Sequence, residues 1–327
     1  MSRTWPKTTE LAVAAWLCII WPAGVEARTP EPLPSGATSA ALVPVPPAGA
    51  PAAWGYVAAG LLEGRTRLRA RYDLYQCLSV TAGGRYGFSL PWRFFSHLGL
   101  GAELTLLEIL AERVSVPPAI DERHARVGLG TARVWVSARV VKERLARWAR
   151  IEAGLWLRVH LPTTTLVHSE ERYPQVPWRL VLGPNSSRAA LLELPGLGAW
   201  AELWGGWLSL GLAWVPLVWG VVGGAEDRFL THLALTASSR VWQGSCGSVR
   251  ACRLDLGADL LLLAAMSSPV YTDDVNSAAV GLGGRFSFPP FAFGAVVRYG
   301  FGTPATGYGE WTGTLELRYG FAGLSGD

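Results

Sequence analysis

Between Arg150 and Leu161 the chain alternates with a period of two. Ile151, Ala153, Leu155, Leu157, Val159 and Leu161 fall on one side, and Arg150, Glu152, Gly154, Trp156, Arg158 and His160 on the other. That period belongs to an extended strand. One apolar face and one charged face suit either a sandwich core or a barrel wall in a membrane. Twelve such residues at ~3.4 Å each, tilted by roughly 45°, rise about 28 Å, close to the apolar band of a membrane barrel.

The same alternation recurs in twelve segments, roughly 65–74, 78–90, 97–107, 125–140, 149–161, 191–204, 207–218, 228–238, 252–265, 278–288, 291–301 and 311–321. In the second, Leu78, Val80, Ala82, Tyr86 and Phe88 oppose Ser79, Thr81, Gly83, Arg85 and Gly87. In the ninth, Leu254, Leu256, Ala258, Leu260 and Leu262 oppose Arg253, Asp255, Gly257 and Asp259. In the last, Trp311, Leu315, Leu317, Tyr319 and Phe321 oppose Thr312, Thr314, Glu316 and Arg318. The connections sort into long ones (108–124, 162–190, 219–227, 266–277, 302–310) and shorter ones (91–96, 141–148, Gly205-Gly206, Pro289-Pro290). Long loops on one rim and short turns on the other predict an all-β, antiparallel, up-and-down transmembrane barrel of about twelve strands, within a range of ten to fourteen. Two connections depart from this sorting: a turn near Tyr75 is too short for its rim, and 239–251 is too long for its own.

A rival element lies at Leu203–Ala225, which carries no charge until Glu226 and is long enough to cross a membrane as a helix. Its glycines and Pro216 disfavour a helix. The stretch also divides at Gly205-Gly206, with Leu208, Leu210, Leu212 and Trp214 opposing Ser209, Gly211 and Ala213, so a strand is expected.

The N-terminus changes the picture by adding export. Arg3 and Lys7 precede the apolar run LAVAAWLCIIW, and Val25-Glu26-Ala27 ends in small residues, so residues 1–27 are expected to be a cleaved secretory signal. Leu17, the residue before Cys18, is bulky and the apolar run continues past it, which argues against a lipid-anchored cysteine. Residues 28–54 are rich in Pro, Ala, Ser and Gly, the composition of a periplasmic linker that buries too little apolar surface to fold. Residues 55–327 are then one barrel domain. The balance of 50% hydrophobic and 17% charged residues is apolar for an exported soluble protein of this size.

The segments GLGTARVWVSARVV, GLWLRVHLPTTT and GTPATGYGEWTGTLELRYGF resemble the single-chain outer-membrane β-barrels of Gram-negative bacteria, in particular channel- or transporter-like barrels of about twelve strands. The resemblance covers about residues 55–327 and is one of pattern. It implies an outer-membrane location, a lipid bilayer around the wall and insertion by the barrel-assembly machinery. In that class the last strand commonly ends the chain on an aromatic residue, whereas here Phe321 is followed by Ala322–Asp327.

The inward face is the candidate functional surface. It is expected to carry Arg65, Arg67, Arg69, Arg71, Arg85, Arg133, Arg139, Arg150, Arg158, Arg253, Arg285, Arg298 and Arg318. Facing these thirteen are seven acids, Asp73, Glu103, Glu152, Glu202, Asp255, Asp259 and Glu316, an excess of six positive charges. On a lipid-facing wall each charge costs about 2–4 kcal/mol at mid-membrane, which sorts them inward. Two functions follow from this face: a passive channel or transporter for small, anionic solutes, or a closed structural or surface-display barrel whose lumen is filled by Arg–carboxylate pairs. Trp92, Trp148, Trp178, Trp204, Trp242 and Trp311 lie near strand ends, as interfacial girdles require.

Cys246 and Cys252 in the sequence CGSVRAC are spaced for a local disulfide in an oxidising compartment, which leaves Cys77 unpaired. Hydrolysis has one sequence candidate, His168-Ser169-Glu170 in the longest loop, but adjacent side chains diverge and make a poor triad. Asp273-Asp274 suits a solvated loop better than a calcium site. No cofactor, metal or nucleic-acid motif is present.

Overall fold

A computed structural model describes residues 52–68, 71–90, 97–116, 120–161, 163, 190–204, 207–222, 225–246, 249–267, 277–288, 290–302 and 311–321. The expected signal segment lies outside them. The chain forms β1 (Ala52–Leu68), β2 (Arg71–Ser89), β3 (His97–Val116), β4 (Ile120–Gly128), β5 (Ala132–Ala146), β6 (Ala149–Leu161), β7 (Ala190–Leu203), β8 (Leu208–Val222), β9 (Ala225–Cys246), β10 (Val249–Ser267), β11 (Ser277–Phe288), β12 (Phe291–Gly302) and β13 (Trp311–Phe321). Chain neighbours pair antiparallel around the wall, and β1 pairs with β13 to close it. Closure gives every wall strand two partners, which is what lets a sheet stand in hydrocarbon.

Thirteen strands make twelve staves, because β4 and β5 share one. β3 pairs with β5 over His97–Leu104 and with β4 over Glu108–Val116. Between them the backbone steps aside at Leu129–Thr131, where the Gly130 amide donates to the Thr105 carbonyl and Thr163 Oγ1 donates to the Gly130 carbonyl. The Thr163 hydroxyl also accepts from the Ala132 amide, so one side chain repairs both ends of the break.

The wall is inverted relative to a soluble fold. Val57, Leu61, Leu78, Leu100, Leu157, Leu212, Leu282, Phe293, Val297 and Leu315 are exposed, while Arg133, Arg139, Arg158, Arg298, Asp259 and Glu316 are buried. Apolar surface on this scale, continuous around a closed wall, has a favourable solvent only in lipid. Among the Trp residues near strand ends, Trp148, Trp204, Trp242 and Trp311 are all exposed, and Trp148 stacks on Trp204 at 6.2 Å. Trp92 and Trp178 lie outside the described residues. The charge-free stretch is strand β8, so the helix alternative is excluded for Leu208–Val222.

Strand lengths differ from expectation in a consistent way. β11, β12 and β13 have 12, 12 and 11 residues, about one bilayer core when tilted. β2, β3, β9 and β10 have 19, 20, 22 and 19 and overshoot it. Four stretches expected as connections, 108–124, 141–148, 219–227 and 239–251, are therefore largely strand. Outside the lipid both faces of a strand are wetted, so the polar alternation that marks a wall is lost there.

The turn expected near Tyr75 does not exist: β2 runs through it, and the β1–β2 connection lies between Leu68 and Arg71, which pair. β1 also begins at Ala52, inside the stretch expected to be linker. This rearranges the first arginines. Arg65 and Arg67 stand on β1 near this connection, opposite Leu74 and Tyr72 of β2 in the register. Arg69 lies outside the described residues.

The charged lumen as candidate functional site

Inward parity alone places a side chain in the lumen, and the pairing then depends on which strands the closure sets side by side. Near the short-turn rim, Arg150 of β6 bridges Glu152 on its own strand and Glu202 on β7, the latter at 3.7 Å. Glu152 also takes Arg139 of β5 at 3.7 Å, and Arg139 contacts the His97 ring on β3. On the same rim Arg253 Nε donates to Asp255 Oδ1 at 2.6 Å.

Across the middle, Glu103 of β3 receives Arg133 Nη1 at 2.5 Å and the Tyr56 hydroxyl. Arg285 of β11 and Arg318 of β13 share Glu316, at 3.5 and 3.1 Å, and Arg318 also lies 4.1 Å over the Trp54 ring. Arg85 donates to Ser137 Oγ at 3.2 Å, and no carboxylate pairs with it among the described residues. Higher up, Arg298 of β12 grips Asp259 of β10, with Nη2 to Oδ2 at 2.6 Å and Nε to Oδ2 at 3.0 Å. Arg158 is buried on the same face of β6 as His160.

Of the expected lumen residues, the described side chains of Arg85, Glu103, Arg133, Glu152, Arg158, Glu202, Arg253, Asp255, Asp259, Arg285, Arg298, Glu316 and Arg318 thus lie on the inward face, with Arg139 and Arg150. One buried acid was not anticipated: Glu108 lies on the inward face of β3 and receives the Cys77 thiol at 3.3 Å. It fell within a stretch taken for a loop. Arg126 of β4 and Arg240 of β9 also stand on this face, so among the described residues arginines outnumber the seven inward acids.

Aromatic rings fill space that the ion pairs leave. Trp156 is fully buried, with Trp135 and Trp200 nearly so. Each lies against a glycine: Trp135 over its partner Gly101, Trp156 over Gly196, Trp200 over Gly198, and likewise Tyr56 over Gly83. A Cβ at any of these glycines would overlap the ring, so the missing side chain is what lets a large ring lie flat on the wall. The signal was present in the sequence, as inward-parity glycines and aromatics, but the ring's partner is set by inter-strand register.

Cys246 and Cys252 form a disulfide across the β9–β10 hairpin, with Cα atoms 5.9 Å apart, and Cys77 is a free, buried thiol. His168, Ser169, Glu170, Asp273 and Asp274 lie outside the described residues. Among the described residues no cluster of three or more His, Cys, Asp or Glu is placed to hold a metal.

No protein-family model matches the chain, and no curated protein matches it. Solved structures do. An outer-membrane channel from Pseudomonas putida F1 aligns over 85% of this chain and 97% of that one, at 11% identity and a TM-score of 0.50. The fold is that of a single-chain outer-membrane β-barrel. The β domain of the Bordetella autotransporter BrkA aligns over 81% of this chain and 98% of its own, at 12% identity and a TM-score of 0.43. The transport unit of the Escherichia coli autotransporter AIDA-I aligns over 98% of this barrel chain and 100% of its own, at 10% identity and 0.42.

Proposed function

We propose that this barrel sits in the outer membrane, reached through the N-terminal signal and the barrel-assembly machinery, and that it is a channel with a constricted lumen for small solutes, anions favoured. The observation that carries this is the charged, arginine-rich interior running the height of a wall that is apolar outside. Rings of arginine stabilise an anion that has shed water. Arg85, which among the described residues donates to Ser137 and pairs with no carboxylate, is the guanidinium best placed to meet one. That the Pseudomonas neighbour is an outer-membrane channel supports the reading. The ion pairs and the Trp156 ring narrow the path, so this is no wide porin. The lumen residues act by charge and width, with no catalytic step.

The test is single-channel recording of the folded protein in a planar bilayer. The expected result is a small, anion-selective conductance that rises in Trp156→Gly, with selectivity weakened in Arg85→Gln. Cation preference would overturn the anion assignment.

A second reading, a closed scaffold that presents its rims to a partner, is favoured by the pairing itself. Every described inward carboxylate has a side-chain partner: Arg133, Arg150, Arg253, Arg285 or Arg298, or the Cys77 thiol. No conductance in either the native protein or folded Trp156→Gly would replace the channel with this reading.

A further inference from the structure

Two buried donors converge inside the barrel over one strand. Arg85 reaches from β2 across the inward side of β3, and Trp135 reaches from β5 across the same strand in the opposite direction. A Cβ at Gly99 would lie 2.9 Å from Arg85 Nε and Nη2, and one at Gly101 would lie 2.6 Å from Trp135 Nε1. These glycines are two residues apart, about 7 Å along β3, so the guanidinium and the indole N–H stand over neighbouring inward positions. Arg85 and Trp135 are each only 9% exposed. Trp135 Nε1 is buried with no hydrogen-bond partner. Arg85 gives one of its five N–H donors to Ser137 Oγ at 3.2 Å, and that hydroxyl is itself directed at the Gly99 carbonyl. A hydroxyl carries no charge, so the Ser137 contact leaves the guanidinium unbalanced.

A buried N–H without an acceptor costs free energy, and so does a buried guanidinium without an anion. One oxyanion between the two removes both costs. The planar guanidinium fork takes two coplanar oxygens, and one of these keeps a lone pair for the indole N–H. A single negative charge balances Arg85, which calls for a monoanion. The register also sets a ring on each side: Trp54 of β1 is opposite Arg85, Arg85 is opposite Gly101, and Gly101 is opposite Trp135. Those indoles offer apolar surface to a carbon body, which an inorganic anion lacks. We propose that Arg85 and Trp135 bind the carboxylate of a small organic acid whose body packs against the Trp54 and Trp135 rings. The site deepens the channel reading above and rests on its open path to Arg85. The guanidinium supplies attraction for anions in general, and the indole N–H with the two rings selects organic carboxylates among them.

The test is calorimetric titration of the full-length protein, folded in detergent micelles, with benzoate, benzamide and inorganic phosphate, each corrected for protein-free micelles. Benzamide keeps the ring and loses the charge, whereas phosphate keeps charge and loses the ring. Benzoate is expected to bind about tenfold more tightly than either. Trp135→Phe keeps a ring without the N–H, and Arg85→Lys keeps the charge without the fork. Each should weaken benzoate about tenfold. Trp242→Phe, an exposed indole near the short-turn rim, should leave it unchanged. Heat-modifiable migration in a gel shows that each variant has folded, and if Trp135→Phe does not fold, Arg85→Lys decides. Equal binding of benzoate and benzamide, or benzoate affinity unchanged in the folded variants, would overturn the site. Phosphate binding as tightly as benzoate would also overturn it, as a simple anion site. The channel reading fails separately: benzoate bound as expected, with no conductance in a planar bilayer, keeps the site and removes only the through-path.

Discussion

The two halves of the wall are built differently. From β10 through β11, β12, β13 and β1 to β2, the ladders run without a single register shift. From β2 round the other way to β10 every ladder is interrupted. There are shifts in β2–β3, β5–β6, β6–β7, β8–β9 and β9–β10, the β4–β5 break, and a gap in β7–β8 where Pro195 faces Pro216. The large buried rings, Trp135, Trp156 and Trp200, all stand on the interrupted half. The regular half faces the lumen with Tyr56, small residues and two ion pairs reaching across strands, Arg298–Asp259 and Arg285–Glu316. A bulge turns a strand locally and re-aims its side chains. The interrupted half seats the three tryptophans among its shifts and carries ion pairs as well, whereas the regular half keeps its ladder bonds and seats one buried ring, Tyr56 over Gly83.

This contrast can be broken at its strongest point first. Asp259 and Arg298 have side chains only 3% and 2% exposed, so Asp259→Ala strands a buried guanidinium in the regular half. The expected loss is about 3–5 kcal/mol, measured by urea unfolding in lipid vesicles. Asp255→Ala removes a pair whose members are 13% and 20% exposed near the rim, and should cost about 1 kcal/mol or less. Equal losses would mean that the lumen is evenly wet.

Next comes the face assignment common to both halves. Leu315 is 65% exposed, and an arginine there meets hydrocarbon, so Leu315→Arg should lose about 2–4 kcal/mol and assemble poorly. Leu157→Arg, on the interrupted half, should behave alike. Single cysteines at Leu155 and Leu157, in a background lacking the native thiols, should react with membrane-embedded probes and resist water-soluble ones. Equal labelling by both probes would refute the lipid-facing assignment.

The glycines sharpen the comparison further. Gly196→Ala drives a Cβ into the Trp156 ring and should cost about 1–3 kcal/mol, partly relieved when Trp156 is also made smaller. Gly313→Ala in the regular half meets nothing within 4 Å and should change unfolding by less than about 0.5 kcal/mol. The disulfide should have an intermediate effect. It closes a loop with a sequence separation of 6, so replacing both cysteines by serine should cost about 2 kcal/mol at most in unfolding, with the barrel intact. Collapse of the barrel would show instead that the hairpin nucleates β9 and β10.

Alternation by itself was enough to show which residues of Arg150–Leu161 or Phe291–Phe301 face lipid, because parity is a local property of a strand. It also gave the count of twelve staves, and the spacing of Cys246 and Cys252 gave the disulfide. It misplaced the first hairpin, since Arg69 and Ala70 between Leu68 and Arg71 are not turn-forming residues and the alternation reads straight across them. It lost Glu108 because the β2–β3 ladder skips Leu106, which breaks the alternation just before it. Only closure of the barrel decided the rest: which carboxylate each arginine meets, which glycine lies under which tryptophan, and where the wall breaks at Leu129–Thr131. Those depend on inter-strand register, which is set by all twelve staves fitting around one circumference and is written in no single segment.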